Sequence, residues 1–232
     1  MRILVTGANG FIAKEIIARL NGDEEDHEIT ACVHKAYCHN VPVSKVKQID
    51  FNQAVNTADW LPMLKDIDVV INCVGVFQTV KAKTMWQIHY AAPKALFAAC
   101  EIKGIKKIIQ ISALGIDQVD VGYANSKLAL EKFISTLKIS STIIRPGLVY
   151  GKGSYGGSSL FRGLASLPFF IFLPGGGAQL QQPVHIDDLS NIVCAALTLP
   201  DKNVLMAVGT EQLSVKNILI KLSKFIVHGF MI

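Results

Sequence analysis

Three features of the sequence predict an α/β fold with a doubly wound parallel sheet and helices on both of its faces. Short runs of aliphatic and β-branched residues, typical of buried parallel strands, alternate with segments whose apolar residues have helical spacing. The first run, residues 2–5, passes through a glycine-containing turn into a helix that carries Ile12, Ile16 and Leu20 on one face. The chain has 232 residues, of which 50% are hydrophobic and 18% are charged, so it can bury one large core.

The remaining elements follow in the order that a Rossmann fold requires. Further strands are expected at short apolar runs: residues 28–33, 45–49, 68–75 with its exit, 107–112 and 204–208, and a sixth strand that leads into residues 142–151. Helices are expected where the spacing is helical: residues 59–65, 84–103, from 123 onward, 187–199 and 215–225. Pro93 should kink the second of these helices, Gly104 should end it, and Ser214 should cap the last one.

The turn after the first strand has the chemistry of an anion-binding site. The first amides of the helix, those of Phe11 and Ile12, lack partners within it, and the helix dipole adds positive potential. Gly7 lets the chain turn sharply, Gly10 lets a pyrophosphate approach the backbone, and Asn9 tolerates a left-handed conformation. We interpret this G-x-x-G-x-x-A pattern as a dinucleotide-binding turn. A strand, turn and helix without a ligand is the alternative.

Three further positions are candidates for cofactor contact. His34 and Lys35 follow the second strand, where NAD-selective proteins carry an acid that binds the ribose 2′-hydroxyl. Two groups that can be cationic favour a 2′-phosphate, so NADP is the expected cofactor and NAD the alternative. Gly75 ends the fourth strand and lets the backbone pass beside the cofactor. A strand that simply runs into a polar loop, and a glycine that merely ends a strand, are the alternatives.

A serine, a tyrosine and a lysine form the candidate catalytic group. Ser112 ends the fifth strand, at the carboxyl edge where doubly wound sheets place their sites. Tyr123 and Lys127 lie four residues apart on the next helix and therefore share a face. The nearby ammonium should lower the pKa of Tyr123 from about 10, so that the phenol exchanges protons near neutral pH. Tyr-x-x-x-Lys spacing also arises by chance, and its position after Ser112 makes it informative.

Four ordered segments resemble the extended and atypical short-chain dehydrogenase/reductase superfamily, including its epimerase/dehydratase-like, complex I accessory-subunit-like and NmrA-like groups. They are residues 6–13, 112–131, 142–151 and 182–189, and the resemblance spans about residues 1–226. It implies that Tyr123 is the acid/base and that Ser112 positions a carbonyl or alcohol. It implies that Lys127 lowers the tyrosine pKa and holds the nicotinamide ribose.

The same resemblance implies further cofactor contacts. Asp50 and Phe51 close the third strand, where relatives commonly meet the adenine amino group. Pro146 and Gly147 follow the sixth strand, beside the nicotinamide. His89 lies where many relatives carry an asparagine that holds a proton-relay water, and we interpret it as a structural helix histidine. Binding-only relatives show that this fold does not guarantee chemistry.

Composition narrows the classes of function. The net charge of +5 is scattered, without the basic stripe that indicates nucleic acid binding, and no apolar run is long enough to span a bilayer. The five cysteines form no C-x-x-C pair and indicate reduced core residues of a cytoplasmic protein. Cys32, His34, Cys38 and His39 lack the spacing of a zinc site, so no metal is expected.

The C-terminal part of the chain is interpreted as a substrate lobe. Residues 1–150 would form the NAD(P)-binding core, and residues 151–232 a small lobe interleaved with the last core elements. Apolar residues 164–173, between glycine-rich stretches, are expected to form a lid for an apolar or ring-bearing substrate; membrane or partner contact is the alternative. The apolar ending, without a closing element, is interpreted as that of a truncated lobe.

Two main functions follow from these observations. The leading hypothesis is an NAD(P)-dependent oxidoreductase or epimerase that transfers a hydride between nicotinamide and a carbonyl or alcohol carbon. The alternative is a non-catalytic NAD(P)-binding protein that acts in redox sensing or respiratory-complex assembly. A membrane-associated partner of a respiratory system is a third, weaker hypothesis, based on the lid and the tail.

Overall fold

The apolar runs of the sequence pair as one parallel sheet. The computed structural model describes residues 1–36, 40–76, 82–152, 173–200 and 202–229. Its strands are β1 (Arg2–Thr6), β2 (Glu28–Val33), β3 (Lys45–Gln48), β4 (Val69–Asn72), β5 (Lys107–Ile111), β6 (Ser140–Pro146), β7 (Val149–Tyr150), β8 (Leu180–Gln181), β9 (Val184–His185), β10 (Asn203–Ala207) and β11 (Leu213–Ser214). Within the described ranges, seven of them form a sheet in the order β10-β6-β5-β4-β1-β2-β3, all parallel. The predicted doubly wound sheet is confirmed.

Helices cover both faces of this sheet, as the alternation predicts. They are α1 (Phe11–Asn21), α2 (Thr57–Trp60), α3 (Ala82–Trp86), α4 (Ala92–Lys103), α5 (Gly122–Thr136), α6 (Ile186–Ala195) and α7 (Val215–Gly229). Successive residues of β1 point to opposite faces: Ile3 and Val5 pack with α1 and α6, whereas Leu4 packs with α2, α4 and α5. Each face therefore has its own apolar core.

The strand order reverses beside β1, and this places the site. β1 pairs with β2 on one side and with β4 on the other. The connections from β1 to β2 and from β4 to β5 therefore leave the sheet in opposite directions, which opens a crevice at the carboxyl ends of β1 and β4. Two smaller sheets, β7 with β9 and β8 with β11, lie in the C-terminal part of the chain.

Several boundaries differ from the sequence prediction for identifiable reasons. The helix expected at residues 59–65 is α2 followed by a 3₁₀ turn, Leu61–Leu64, with Pro62 in its first turn. The helix expected at 187–199 ends at Ala195, after which Leu197 bonds back to Cys194 in tighter turns. The last helix runs to Gly229 rather than residue 225, so part of the expected tail is helical.

The predicted helix ends are confirmed where the structure describes them. Gly104 ends α4 with a left-handed φ of +65°. The Ser214 hydroxyl accepts from the Asn217 amide at 3.2 Å, as an N-cap does. The kink expected at Pro93 takes the form of a π turn, Gln87–Ala91, between α3 and α4.

Part of the expected lobe lies outside the described residues. This holds for residues 153–172, which include nearly all of the expected apolar lid, and for Cys38 and His39. Among the described helices, none has both the length and the apolarity that a bilayer crossing needs.

Candidate active site

The glycine turn has the backbone that the sequence predicts. Gly7 has a φ of +68°, and a Cβ there would lie 3.0 to 3.2 Å from Val74 and from the Cys73 backbone. The Gly10 amide donates to the Gly7 carbonyl at 2.7 Å, and Gly10 precedes α1 without a side-chain cap from any described residue. A Cβ on Gly10 would lie 3.0 Å from the Gly7 oxygen. The turn is therefore narrow and leaves the start of α1 open to an anion.

The other residues of the turn connect it to its surroundings. The Asn9 backbone is not in the left-handed region. Its side-chain amide Nδ2 donates to the Ala36 carbonyl at 3.0 Å and holds the loop after β2. The side chains of Phe11 and Ile12 pack in the core, so their backbone amides are what a ligand would meet. A Cβ on Gly151 would lie 3.3 Å from the Phe11 ring, which places the turn next to the chain that leaves β7.

A second group of predicted residues lies at the ends of β2 and β3. The His34 ring nitrogen Nε2 is 3.8 Å from the Asp50 carboxylate, and Lys35 is exposed. Asp50 also accepts from the Asn52 amide at 2.9 Å. The Phe51 side chain is buried edge-on against Trp60, so the predicted contact with a cofactor would have to come from its backbone.

Cys32, one of the four residues considered for a zinc site, is part of the hydrophobic core. Its side chain is buried, and burial raises the pKa of the thiol to about 12. A thiol that resists ionisation is a poor metal ligand, because metals bind the thiolate. His34, by contrast, is 58% exposed on its side chain.

A buried polar row crosses the carboxyl ends of three central strands, and the sequence analysis missed it. The Thr6 hydroxyl donates to Asn72 Oδ1 at 2.5 Å, and Asn72 Nδ2 donates to Gln110 Oε1 at 2.7 Å. Gln110 Nε2 donates to the Ile111 carbonyl at 2.6 Å. In the sequence, each of these three apolar strands has one polar residue near its end. The register of the strands places these residues side by side, on the same face of the sheet.

The row ends at Lys127. Lys127 Nζ also donates to the Ile111 carbonyl, at 3.3 Å. The ammonium is buried, and burial lowers the pKa of Lys127 to about 8, although the charge of Glu131 acts in the opposite direction. A Cβ on Gly75 would lie 3.8 Å from Nζ, so Gly75 and Lys127 adjoin. A hydrogen-bonded path therefore links the strand before the glycine turn to Lys127.

Tyr123 lies beside Lys127, but its expected pKa shift is wrong in sign. Lys127 Nζ is 5.6 Å from the centre of the phenol ring. The tyrosine is partly buried, and this burial raises the pKa of Tyr123 to about 12. The desolvation of the phenolate therefore outweighs the attraction of an ammonium at this distance.

Ser112 is held by a network of charged side chains. Its hydroxyl donates to Glu131 Oε1 at 2.5 Å. Arg145 donates to the same carboxylate through Nε at 3.1 Å and Nη2 at 2.6 Å, and through Nη1 to Asp117 at 2.8 Å. The hydrogen bond to Glu131 raises the pKa of Arg145. The hydroxyl proton of Ser112 is therefore engaged by Glu131, and only its oxygen lone pairs are left to accept a hydrogen bond.

Pro146 and Gly147 lie where the sheet meets the C-terminal part of the chain. The Gly147 amide donates to Ala207 at 3.0 Å, and a Cβ on Gly147 would lie 2.1 Å from the Gln182 carbonyl oxygen. A Cβ on Gly209 would lie equally close to the Pro183 carbonyl oxygen. The glycine at 147 is therefore explained by backbone packing, in addition to any role toward a cofactor.

An aromatic pair follows this junction. The rings of Tyr150 and His185 meet edge to face at 5.1 Å, on the paired strands β7 and β9. Both side chains are partly exposed. His185 Nδ1 also accepts from the Asp187 amide at 3.3 Å, and this caps α6.

The site thus brings the glycine turn, Gly75, Ser112, Tyr123 and Lys127 to one edge of the sheet. A glycine turn at the reversal point of a doubly wound sheet, with polar groups at neighbouring strand ends, defines the dinucleotide-binding Rossmann class. Comparison with known families makes this specific. The model of the NAD dependent epimerase/dehydratase family matches residues 3–209, and the chain belongs to that family.

Individual relatives agree with this assignment. The chain is 24% identical to mouse (Mus musculus) dTDP-D-glucose 4,6-dehydratase, over 90% of this chain and 68% of that protein. It is 30% identical to the Arabidopsis thaliana mitochondrial NADH dehydrogenase [ubiquinone] 1 alpha subcomplex subunit 9, over 56% of this chain and 33% of that one. The Bacillus cereus UDP-glucuronic acid 4-epimerase, solved with UDP-glucuronic acid and NAD, shares the fold. Its TM-score is 0.80 at 22% identity, over 98% of this chain and 83% of that one.

Proposed function

We propose that this chain is an NAD(P)-dependent oxidoreductase or epimerase that transfers a hydride between nicotinamide and a carbon bearing oxygen. The main support is that Ser112, Tyr123 and Lys127 lie near the carboxyl end of β5: Ser112 follows that strand, and Lys127, on the same helix as Tyr123, donates to the strand's last carbonyl. Lys127 gives the strongest indication, because a buried ammonium whose one hydrogen bond to a described residue is as long as 3.3 Å costs stability. A side chain that is costly to the fold is expected to serve the reaction.

The chain's residues fit a dinucleotide. Gly7 and Gly10 form a cradle that a Cβ would fill, and the amides of Phe11 and Ile12 would bind the pyrophosphate. Asp50 and Lys35 would face the adenosine end. Lys127, Gly75 and the Pro146–Gly147 junction would line the nicotinamide end.

Proton transfer would be the task of Tyr123. A bound nicotinamide supplies the hydride acceptor or donor, and its oxidised form adds a positive charge that favours a nearby phenolate. In the oxidative direction, the Tyr123 oxygen would take the hydroxyl proton of the substrate while the hydride leaves the same carbon. Because the single hydroxyl proton of the substrate goes to Tyr123, Ser112 would orient the substrate oxygen by donating its own proton, which it would have to withdraw from Glu131. Lys127 would stabilise the phenolate.

The choice between NADP and NAD depends on few side chains. His34 lies near the Asp50 carboxylate, which reduces the positive charge available to a 2′-phosphate, so Lys35 remains as its main support. We therefore propose that the chain accepts both dinucleotides, with any preference for NADP due to Lys35. The ratio of the two dissociation constants in wild type and in Lys35→Ala tests this. A preference for NADP that persists in Lys35→Ala would contradict it.

The substrate is expected to carry a ring next to a hydroxyl or carbonyl. The partly exposed Tyr150–His185 pair offers an aromatic surface in the C-terminal part of the chain, which we assign to the substrate. Nucleotide-linked sugars, which several relatives act on or bind by name, are the first class to test.

The alternative function is non-catalytic binding in a respiratory assembly. It is favoured by the similarity to the Arabidopsis complex I subunit, which covers 138 residues. In that case the dinucleotide would stabilise the fold without turnover.

A matched pair of tyrosine variants separates the two functions. Purified protein is incubated with UDP- and dTDP-linked sugars and either dinucleotide, and products are followed by nicotinamide absorbance and by NMR. For an enzyme, Tyr123→Phe should lose turnover about a hundredfold or more while still binding NADH. Tyr90→Phe, at a tyrosine that contacts Trp86, should keep it. Equal turnover in wild type and Tyr123→Phe would overturn the proposed role of Tyr123, and NADH binding with no turnover in wild type would favour the alternative.

The cysteines support a reducing compartment such as the cytoplasm. All four that the structure describes are free thiols: Cys32, Cys73, Cys100 and Cys194.

A further inference from the structure

We propose that His89 is a positioning residue that fixes the exit of β4 and the catalytic helix α5 relative to each other. The inference rests on the proposed function and names a residue on which the geometry of that site depends. Val76, which follows the exit of β4, donates its amide to His89 Nε2 at 3.0 Å. On the opposite side of the ring, Nδ1 lies 3.0 Å from the Ser126 hydroxyl oxygen of α5. One buried imidazole therefore joins two elements that carry the site.

The direction of these hydrogen bonds follows from the donors. Nε2 faces an amide N–H, so it must accept, and the ring proton must be on Nδ1. Nδ1–H then donates to Ser126, whose own hydroxyl donates to the Tyr123 carbonyl at 2.9 Å. Each of these three hydrogen bonds therefore has one donor and one acceptor, and both ring nitrogens of His89 are satisfied. Burial lowers the pKa of His89 to about 3, which agrees with a neutral ring that joins rather than shuttles protons.

The π turn places His89 in this position. Pro93 lacks an amide proton, and in a regular α-helix its ring would clash with the carbonyl four residues earlier, which is that of His89. The helix instead widens over Gln87–Ala91, and the Ala92 amide bonds to Gln87. The sequence predicts only a kink at Pro93. The widened turn changes which side chains face α5.

The histidine also touches the catalytic tyrosine. Its ring meets that of Tyr123 edge to face at 5.3 Å and 87°. A Cβ on Gly75 would lie 3.8 Å from His89 Nε2 and 3.8 Å from Lys127 Nζ. The imidazole thus lies between the Gly75 backbone and the phenol. The spacing between nicotinamide pocket and acid/base therefore depends on both bonds of His89.

Two amide substitutions separate these bonds. In His89→Gln, the side-chain oxygen can take the place of Nε2 and keep the Val76 bond, while the bond to Ser126 is lost. In His89→Asn, the shorter amide can take the place of Nδ1 and keep the Ser126 bond, while the bond to Val76 is lost. Ser126→Ala removes the second bond alone, and His89→Phe keeps a ring without hydrogen bonds.

Two readouts on the dinucleotide-free protein test the proposal. Amide hydrogen exchange at Val76 should rise about tenfold in His89→Asn and stay near wild type in His89→Gln. The tyrosinate titration of Tyr123, obtained as the difference from the matching Tyr123→Phe background, should shift in His89→Gln and in Ser126→Ala. Wild-type behaviour of His89→Phe in both readouts would reduce His89 to packing and overturn the proposal.

These readouts are independent of turnover. If wild type shows no reaction with any substrate but Val76 and Tyr123 respond as expected, the proposed function fails while the coupling through His89 stands. If turnover is found but His89→Asn exchanges Val76 at the wild-type rate, the role of His89 fails alone.

Discussion

The hydroxyl proton of Ser112 is held by the carboxylate of Glu131, at an O–O distance of 2.5 Å. Glu131 lies one helical turn beyond Lys127 on α5, so one carboxylate orients the serine and also acts on the charge of the lysine. Arg145, on the neighbouring strand β6, donates to the same Glu131 carboxylate. Glu131 and Arg145 thus set the direction in which the Ser112 hydroxyl donates.

Removal of the Glu131 charge should cost much more stability than removal of the Asp117 charge. The Arg145–Glu131 side chains are 12% and 7% exposed, whereas Asp117 is 48% exposed. Glu131→Gln removes the buried carboxylate of Arg145 and leaves the guanidinium with the more exposed Asp117, so it should lower the free energy of unfolding by about 3 kcal/mol. Asp117→Asn should cost less than about 1 kcal/mol. Urea unfolding of both variants tests this, and equal losses would show that Glu131 is not the main partner.

Lys127→Met should stabilise the fold while it removes activity. The pKa of Lys127 falls from 10.5 to about 8 in the folded chain, so burial of the ammonium opposes folding at neutral pH. Methionine has a similar shape without the charge, and we expect a gain of about 1–3 kcal/mol.

The pH dependence of this gain provides its control. Between about pH 8 and pH 10.5 the unfolded chain binds a proton at Lys127 that the folded chain does not, so wild-type stability rises with pH there. Lys127→Met lacks that rise, and the difference between the two proteins should shrink. A Lys127→Met protein that is less stable than wild type at neutral pH would show that the lysine serves the fold.

The sequence indicates these residues but not their environment. The strands, the glycine turn and the Ser112–Tyr123–Lys127 spacing follow from local periodicity, which the structure keeps. Glu131 and Arg145 meet only through the packing of α5 on β6, and nothing local indicates that contact. The sign of the Tyr123 shift was missed because i,i+4 spacing shows a neighbouring charge but does not show burial.

Tyr123 should titrate at high pH in the free protein and at lower pH when the oxidised dinucleotide is bound. Burial places the pKa of Tyr123 at about 12, so the difference titration between wild type and Tyr123→Phe should show its midpoint well above that of a free phenol. A positive nicotinamide ring should lower this midpoint by about one unit, whereas the reduced form should not. Identical midpoints with NAD⁺, NADH and no ligand would contradict the proposed position of Tyr123 beside the nicotinamide.

Gly147→Ala should disturb the junction between the sheet and the C-terminal part of the chain. A Cβ would lie 2.1 Å from the Gln182 carbonyl oxygen, so the backbone must shift, at a cost of about 1–3 kcal/mol. Gly22→Ala, where the nearest atom would be 3.6 Å away, is the matched control and should be close to neutral. Thermal unfolding of both variants checks the prediction. A Gly147→Ala protein as stable as the control would mean that the junction is looser than the structure shows.

The most direct test of the whole account is a calorimetric titration of the wild-type chain with NADH, NADPH and ADP-ribose, repeated on Gly10→Ala. ADP-ribose carries the pyrophosphate without the nicotinamide, so binding through the Gly7–Gly10 turn predicts saturable heat for all three ligands and a weaker affinity in the variant, whose Cβ would lie 3.0 Å from the Gly7 oxygen. Absence of heat with every one of these ligands, or equal affinity in Gly10→Ala, would contradict a dinucleotide held by this turn.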